Sequence, residues 1–257
     1  MKMAGLLPVA NVHKISVYGN FCLSLWRFKF PSLWCRALIL LIMQQKKVLI
    51  FDLGGVIIDL HVNRSFEALA AMGVAPQLLS ESGSAVNEVM ALYDRGDITT
   101  GELFERMASL VPQTGRDGSG SGLHGRMAEI WNMMLGDFPV GKLRRLKELR
   151  AKGYRVVMLS NTNEAHWPEI ERKFLETAGK PLECCFDALY LSFRMRCRKP
   201  EPEIFLRLLE NEGVAASECL FFDDSAVNCD AARQVGIESV LVERNVSSGE
   251  FLKNVCL

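Results

Sequence analysis

"FDLGGVIID" (residues 51–59) places an aspartate where a short apolar run ends and follows it with two glycines. An apolar run of this kind, closed by glycines, indicates a buried strand that leads into a tight turn. Glycines there would let the backbone approach a bound anion closely. Asp52 is therefore a candidate functional residue, whereas Gly54, two positions later, has no side chain with which to assist it.

Four further short apolar runs predict strands of the same kind: RVVML (155–159), DALYL (187–191), CLFF (219–222) and ESVLV (238–242). They are rich in Val, Leu, Ile or Phe, as expected of strands that are buried on both faces. Amphipathic helical patterns separate the later runs, and two of these patterns end at Gly153 and Gly213. This alternation predicts an α/β fold with a doubly wound, Rossmann-like parallel sheet.

The long segment between the first two predicted strands contains no convincing strand. Its patterns predict helices at 63–72, 85–94, 100–111 and 124–135, with a flexible glycine- and serine-rich loop at 116–122. We therefore predict a helical cap domain at residues 63–140, inserted into a core domain that consists of residues 43–62 and 141–257. Such an insertion would lie above the carboxyl edge of the sheet.

The first 42 residues do not follow the strand–helix pattern. Their apolar run at 33–43 is shorter than the stretch of about 20 residues that spans a bilayer. The sequence QQKK follows it, where a signal peptide would have a small-residue cleavage site. We interpret residues 1–42 as an extension outside the fold, with Met43 as a candidate start. Secretion or membrane attachment is the alternative.

Composition excludes several classes of partner and cofactor. Lys and Arg number 30 and balance 30 Asp and Glu, so no general basic field favours nucleic acid. The eight cysteines form no CxxC pair, and the four histidines add no ligand-like spacing, which argues against zinc and a disulfide framework. Reduced thiols fit a cytoplasmic protein. We expect a small-molecule substrate, no nucleic acid and no membrane partner.

Polar side chains follow the predicted strands at the points where the strands end. They are Asp52, Ser160, Asn161, Lys199, Asp223 and Asp224. Ligands of open parallel sheets bind outside the carboxyl ends of the strands, so these side chains are expected to converge there. Carboxylates, a hydroxyl, an amide and a lysine at one edge suit an anionic substrate that is bound together with a divalent metal.

The order and spacing of FDLGGV, LSNTN, RKPEPEIF and FFDDSAVNCDAA resemble the haloacid dehalogenase-like hydrolase superfamily. Within it they are similar to the sugar-phosphatase branch and to the phosphatase domain of epoxide hydrolases. The resemblance covers residues 47–243, and the helical insertion resembles the cap of that family. It implies a Mg²⁺-dependent phosphatase that hydrolyses a small phosphate ester, such as a sugar phosphate, through an aspartyl-phosphate.

The resemblance also implies roles for individual residues. Asp52 would be the nucleophile and a metal ligand, and Lys199 would stabilise charge on the transferring phosphoryl group. Asp224 would be the acidic Mg²⁺ ligand, with Asp223 as an auxiliary ligand or a group that supports the ligands. The remaining assignments are phosphate binding by Ser160, Asn161 and Gly55, and metal binding by the carbonyl of Gly54.

One departure from the family pattern leaves the activity open. Most phosphatases of the superfamily carry a second aspartate as general acid and base where this chain has Gly54, and such a group is typically worth about 10²–10⁴-fold in rate. Asp59 is a possible replacement that has no motif support. The alternatives are therefore a 2-haloacid-type dehalogenase, against which the adjacent acids Asp223 and Asp224 argue, and a catalytically weakened phosphate-ester-binding protein. Three cap residues, Arg95, Glu102 and Trp131, could face the substrate.

Overall fold

The structure is a computed structural model that describes residues 46–75, 85–112 and 120–252. The predicted extension at residues 1–42, the candidate start Met43 and the first part of the predicted loop at 116–122 lie outside the described residues. The last part of that loop prediction is wrong, because residues 120–122 already belong to a helix. Among the described residues, no helix has the length and apolarity needed to cross a membrane.

Five parallel strands form the sheet that the sequence predicts. They are β1 (Val48–Phe51), β2 (Arg155–Ser160), β3 (Ala188–Leu191), β4 (Cys219–Asp223) and β5 (Glu238–Leu241). Their order in the sheet is β3-β2-β1-β4-β5. The chain therefore winds outward from β1 to β3 and then returns to place β4 on the other side of β1, which makes the sheet doubly wound. The crevice where ligands bind in such sheets is expected between β1 and β4, at this change of direction.

The four helices predicted between residues 63 and 135 lie close to their predicted positions. The first four helices after β1 are α1 (Val62–Ala71), α2 (Ala85–Asp94), α3 (Thr100–Ser109) and α4 (Gly120–Asn132). The others are α5 (Val140–Ala151), α6 (His166–Ala178), α7 (Ser192–Met195), α8 (Pro202–Glu212) and α9 (Ala226–Gln234). The start of α3 is fixed by a capping box between Thr99 and Glu102. The end of α8 is fixed by Gly213 in the left-handed conformation.

The centre of the sheet is buried on both faces. On one face, Phe205 of α8 packs edge-on against Phe221 of β4, with 5.5 Å between the ring centroids. On the other, Phe51 of β1 stacks on Phe222 of β4 at 4.7 Å, and Phe251 lies beside Phe51. Burying such a side chain contributes about 1.5–3 kcal/mol. Packing on both faces keeps β1 and β4 side by side. This fixes the positions of the residues at the ends of these two strands.

Two chain segments connect the sheet to the four helices of the insertion, and they run side by side. The N–H of His61 donates to the carbonyl of Met134 (2.8 Å), and the N–H of Gly136 donates to the carbonyl of Asp59 (2.8 Å). The Asp59 carboxylate also pairs with the fully buried ammonium of Lys142 (3.2 Å). These contacts bring the two connections together close to the predicted boundaries at 62 and 141. The division into core and cap domains remains a prediction.

Because these connections approach each other closely, a side chain at position 136 is expected to destabilise the protein. A Cβ atom there would lie 2.7 Å from the backbone oxygen of Asp59. Gly136→Ala should therefore lower the free energy of unfolding by about 1–3 kcal/mol in urea denaturation, as expected of overpacking. Gly125→Ala is the control: Gly125 is an exposed position of α4 with no atom within 4 Å of the added Cβ. That change should raise stability by up to about 1 kcal/mol, and equal effects of the two changes would contradict the prediction.

Candidate active site

Asp52 and the acids of β4 meet because β1 and β4 are neighbours. The N–H of Asp52 donates to the carbonyl of Phe222 at 2.8 Å, which extends the pairing of the two strands to the end of the sheet. Asp223 is the last residue of β4, and Asp224 follows it. Carboxylate oxygens of Asp52, Asp223 and Asp224 all lie within 4.8 Å of one another. Three acids so close together would repel one another strongly without a cation.

Lys199 supplies one such cation. Its Nζ atom donates to Oδ1 of Asp52 at 2.7 Å and to Oδ2 of Asp223 at 2.6 Å, and the side chain is only 1% exposed. Burial by itself would lower the pKa of Lys199, but the negative charges of Asp223 and Asp52 outweigh burial and raise it. Burial also raises the pKa of Asp52; Lys199 opposes this rise, and Asp223 adds to it. The expected convergence of Lys199 and Asp52 at the carboxyl edge of the sheet matches this geometry.

Asp223 is saturated by its protein partners. Its Oδ1 accepts from the N–H of Ser225 (2.8 Å) and from Nδ2 of Asn228 (3.0 Å), while Lys199 and Asn228 share its Oδ2. Asp224 has a different environment: its Oδ2 accepts from Nε of Arg244 at 2.6 Å. Within the described part of the chain, Oδ1 of Asp224 and Oδ2 of Asp52 have no hydrogen-bond partner. These two oxygens are therefore the ones that the cluster can offer to a cation.

The donor set suits magnesium. Mg²⁺ prefers oxygen ligands and is usually bound by one or two carboxylates together with waters and substrate oxygens. Asp52 and Asp224 would provide these carboxylates, whereas the oxygens of Asp223 accept hydrogen bonds from Lys199, Ser225 and Asn228. The contacts of Asp223 thus fit the supporting role rather than that of a ligand. Its assignment as a metal residue stays a prediction.

The two glycines after Asp52 differ in what the fold demands of them. Gly55 has a φ of +75°, and a Cβ atom there would lie 2.7 Å from Oδ2 of Asp224. Glycine is therefore required at this position, where its backbone turns beside the acid cluster. At Gly54, by contrast, a Cβ atom would meet Cδ2 of Leu60 at 3.5 Å, an ordinary contact. The fold does not require the absence of a side chain at Gly54.

The amide of Asn161 is used within the protein. Its Nδ2 donates to the carbonyl of Lys199 (2.8 Å), and its Oδ1 accepts from the N–H of Lys199 (2.9 Å). This pair of bonds holds the backbone that carries the lysine, a role that no pattern in the sequence indicates. Ser160 is buried at the end of β2, directly before Asn161. Phosphate binding by Ser160, Asn161 and Gly55 remains a prediction.

Asp59 does not join the acid cluster. Its carboxylate pairs with the buried ammonium of Lys142 in the connection between sheet and insertion, and it is absent from the group of acids within 4.8 Å. The sequence raised Asp59 as a replacement for the missing acid from its place at the connection between strand and cap, seven residues after Asp52. A short separation along the chain does not bring two side chains together when a turn lies between them.

One residue of the insertion that contacts the carboxyl edge, Asp94, was not singled out by the sequence. Asp94, at the end of α2, is buried and accepts from Nδ2 of Asn163 (3.3 Å). Its other oxygen lies 3.4 Å from Nη2 of Arg198. Burial raises the pKa of Asp94 to about 6, against the opposing effects of Arg198, Asn163 and Arg95. The sequence contains no signal for this contact, because nothing in it shows that residues 94 and 198 meet.

The three cap residues proposed from sequence have separate surroundings. Nη1 of Arg95 donates to Oε1 of Glu201 at 2.6 Å. Nε1 of Trp131 donates to Oδ1 of Asn163 at 3.3 Å, so both Arg95 and Trp131 reach loops at the carboxyl edge. Glu102 belongs to the capping box of α3 and lies at an exposed helix start. The contacts thus give Glu102 a structural role.

Comparison with known proteins identifies relatives over most of the chain. A family model described as haloacid dehalogenase-like hydrolase matches residues 46–236. D-ribitol-5-phosphate phosphatase of Bacteroides thetaiotaomicron is 29% identical over 195 residues, which are 75% of this chain and 90% of that protein. Protein CbbY of Rhodobacter capsulatus is 26% identical over 214 residues, 79% of this chain and 88% of its own length.

Solved structures give the same result. The crystal structure of a HAD family enzyme from Bacteroides thetaiotaomicron has a TM-score of 0.70 and 30% identity, covering 81% of this chain and 98% of that one. The wild-type form of that enzyme in complex with magnesium and inorganic phosphate has a TM-score of 0.67 and 30% identity, covering 82% of this chain and 100% of the other. The likeness thus includes both the sheet and the inserted helices.

The buried carboxyl of Asp94 predicts a pH-dependent stability. A folded-state pKa of about 6, above the ordinary 3.8, means that the contribution of Asp94 is intact below about pH 4 and is lost as the pH rises through 6. A difference of about two pKa units corresponds to roughly 3 kcal/mol. Asp94→Asn, which mimics the neutral carboxyl, should therefore gain up to about that much stability relative to the wild type between pH 4 and pH 7.

Urea denaturation at several pH values would measure this gain. The control is Asp230→Asn, which removes an acid that is 69% exposed on α9. Its stability difference from the wild type should stay nearly constant with pH, because exposed ion pairs contribute little. A pH-independent difference for Asp94→Asn would contradict the prediction.

Proposed function

The chain belongs to the haloacid dehalogenase-like hydrolase family, and from this premise we propose that it is a Mg²⁺-dependent phosphatase of small phosphate esters, with Asp52 as its nucleophile. The observation that carries the proposal is the clamp in which the buried ammonium of Lys199 bridges Asp52 and Asp223. Asp224 lies beside this clamp and keeps one oxygen available. The arrangement combines a carboxylate nucleophile, a fixed cation and a metal ligand.

Asp52 would act by covalent catalysis. Its carboxylate would attack phosphorus, the bond from phosphorus to the ester oxygen would break, and the released alcohol would take up a proton. Water would then attack the aspartyl-phosphate, which returns the free carboxylate and releases inorganic phosphate. This route divides one difficult displacement into two easier ones. Lys199 supports it because the ion pair favours the ionised, nucleophilic form of Asp52 against the effect of burial.

Lys199 and the metal would share the charge of the transferred group. The ammonium is already fixed by Asp223 and by the bonds of Asn161 to its backbone, so little reorganisation is needed during the reaction. Asp52 and Asp224, with the carbonyl of Gly54, would hold Mg²⁺, which when bound neutralises charge on the phosphoryl oxygens. Ser160, Asn161 and Gly55 would contact the phosphate.

A sugar or polyol phosphate is the substrate class that we propose. The ribitol-phosphate phosphatase relative acts, by its name, on such an ester, and the match covers 90% of that protein. The helical insertion at 63–140 would serve as a cap over the carboxyl edge and exclude water from the site. Asp94, Arg95 and Trp131 connect that insertion to the loops that carry Asn163, Arg198 and Glu201.

Hydrolysis assays with the full chain would test the proposal. An activated aryl phosphate and a panel of sugar and polyol phosphates should be hydrolysed with Mg²⁺ and not after chelation. Asp52→Asn should reduce turnover by at least about 1,000-fold, because it removes the nucleophile. Asp230→Asn, at an exposed site on α9, should retain the wild-type rate.

Two outcomes would contradict it. A folded protein that binds Mg²⁺ and phosphate esters without turnover would be a phosphate-ester-binding protein. Halide release from 2-haloacids, independent of Mg²⁺ and abolished by Asp52→Asn, would make the chain a dehalogenase.

The glycine at position 54 gives a separate prediction. The fold has room for a Cβ atom there, which would meet Cδ2 of Leu60 at the ordinary contact distance of 3.5 Å. Gly54→Asp should therefore raise kcat/KM for alkyl phosphates, whose leaving groups need a proton, by at least about 10-fold. Hydrolysis of an activated aryl phosphate should change little. The control variant is Gly54→Asn, whose side chain has the same shape as that of Asp but cannot act as a general acid. An equal gain in this variant would refute acid catalysis as the cause.

A further inference from the structure

The end of α2 rests on the segment that carries Lys199. We call residues 93–97 the α2 terminus and residues 196–201 the lysine segment. Asp94 lies 3.4 Å from Nη2 of Arg198, and Arg95 donates to Glu201 at 2.6 Å. Nη1 of Arg196 donates to the carbonyl of Gly96. Three successive residues of the α2 terminus thus contact residues on both sides of Lys199.

The core also holds the lysine segment. Both backbone groups of Lys199 bond to the side chain of Asn161. The backbone N–H of Arg198 donates to Glu201 (3.1 Å), and Glu201 is also the residue that accepts from Arg95. The position of the Lys199 backbone is therefore set jointly by the core and by the insertion. Neither set of contacts involves the ammonium itself, which is left to Asp52 and Asp223.

Attachment of the insertion to the core does not by itself explain a buried carboxylate at position 94. Its carboxylate is buried, and its contacts are long, at 3.3 Å to Asn163 and 3.4 Å to Arg198. Nε of Arg198 is buried without a hydrogen-bond partner among the described residues. A buried ion pair with such geometry is weak evidence for stability, since desolvation offsets the attraction. Burial raises the pKa of Asp94 to about 6, so the ionised form lowers stability at neutral pH.

We propose that Asp94 is a positioning residue: through Arg198 it fixes the lysine segment so that the ammonium of Lys199 stays between Asp52 and Asp223. The inference rests on the proposed function for its consequences in catalysis. A preorganised charge loses much of its effect when it shifts by about 1 Å. The α2 terminus would thus make efficient phosphoryl transfer depend on the insertion being in place over the sheet.

Positioning makes a specific kinetic prediction. A displaced Lys199 stabilises the transition state less, so Asp94→Asn should lower kcat at least fivefold. The KM for a small aryl phosphate and the Mg²⁺ dissociation constant should stay within twofold, because Asp94 touches neither ligand in this arrangement. The stability of the same variant should rise at pH 7, which separates the loss of rate from a loss of fold.

A chemical readout tests the position of Lys199 without any substrate. Competitive acetylation followed by mass spectrometry gives the reactivity of each lysine, and the ammonium of Lys199 is protected by burial and by two ion pairs. Asp94→Asn should raise the acetylation rate of Lys199 at least threefold relative to Lys47, whose side chain is 70% exposed. This readout is expected to change even if the protein proves to have another activity.

The matched control is Glu164→Gln. Thr100 of the insertion donates to Glu164 of the core at 3.1 Å, so this contact also joins the two parts but does not reach the lysine segment. Glu164→Gln should leave kcat and the reactivity of Lys199 unchanged. If Asp94→Asn fails to fold, Arg95→Gln, which removes the contact with Glu201, replaces it with the same expectations for kcat and for the reactivity of Lys199.

The results separate failure of this inference from failure of the proposed function. Unchanged reactivity of Lys199 in Asp94→Asn, or an equal change in Glu164→Gln, would overturn the positioning role. A higher KM with unchanged kcat would also overturn it, because Asp94 would then contact substrate. No turnover by the wild type would refute the phosphatase, and the reactivity of Lys199 would still decide whether Asp94 positions it.

Discussion

The buried ammonium of Lys199 is the charge on which the rest of the site depends. It lies within 2.7 Å of both Asp52 and Asp223, at 1% exposure, and the three groups come from separate parts of the chain. Removing any one of them would leave an uncompensated buried charge, which is typically more costly than never burying the set. The sheet order, which puts β1 beside β4, is what makes this arrangement possible. The fold and the charge cluster therefore constrain each other.

The same cluster divides the work among three neighbouring acids. Asp223 is committed to Lys199, Ser225 and Asn228, whereas Asp52 and Asp224 each retain an oxygen for a cation. The adjacent residues Asp223 and Asp224 thus differ in chemistry because their carboxylates have different hydrogen-bond partners. Gly55 completes the arrangement, since any side chain there would overlap Asp224. Gly54 is under no such restriction, and its identity concerns chemistry rather than packing.

The insertion contributes in a way that stability alone does not explain. Asp94 is buried with long contacts, and its raised pKa shows that its ionised form is costly in the folded protein. Proteins retain such groups where function benefits from a fixed geometry, and substitutions there tend to increase stability at the expense of activity. The lysine segment is held by Asn161 on one side and by the α2 terminus on the other. The proposed positioning of Lys199 would thus depend partly on the inserted helices.

The sequence alone determined the five strands, the approximate positions of helices α1 to α4 and the acids and lysine at the strand ends, because apolar periodicity, capping residues and strand-end motifs are local signals. It also singled out Asp52, Lys199 and Asp224. Only the tertiary structure decided that Asn161 holds the backbone of Lys199, that Asp59 pairs with Lys142, and that Asp94 meets Arg198. These partners are far apart in sequence, and no local pattern encodes a contact that forms only when separate elements pack together.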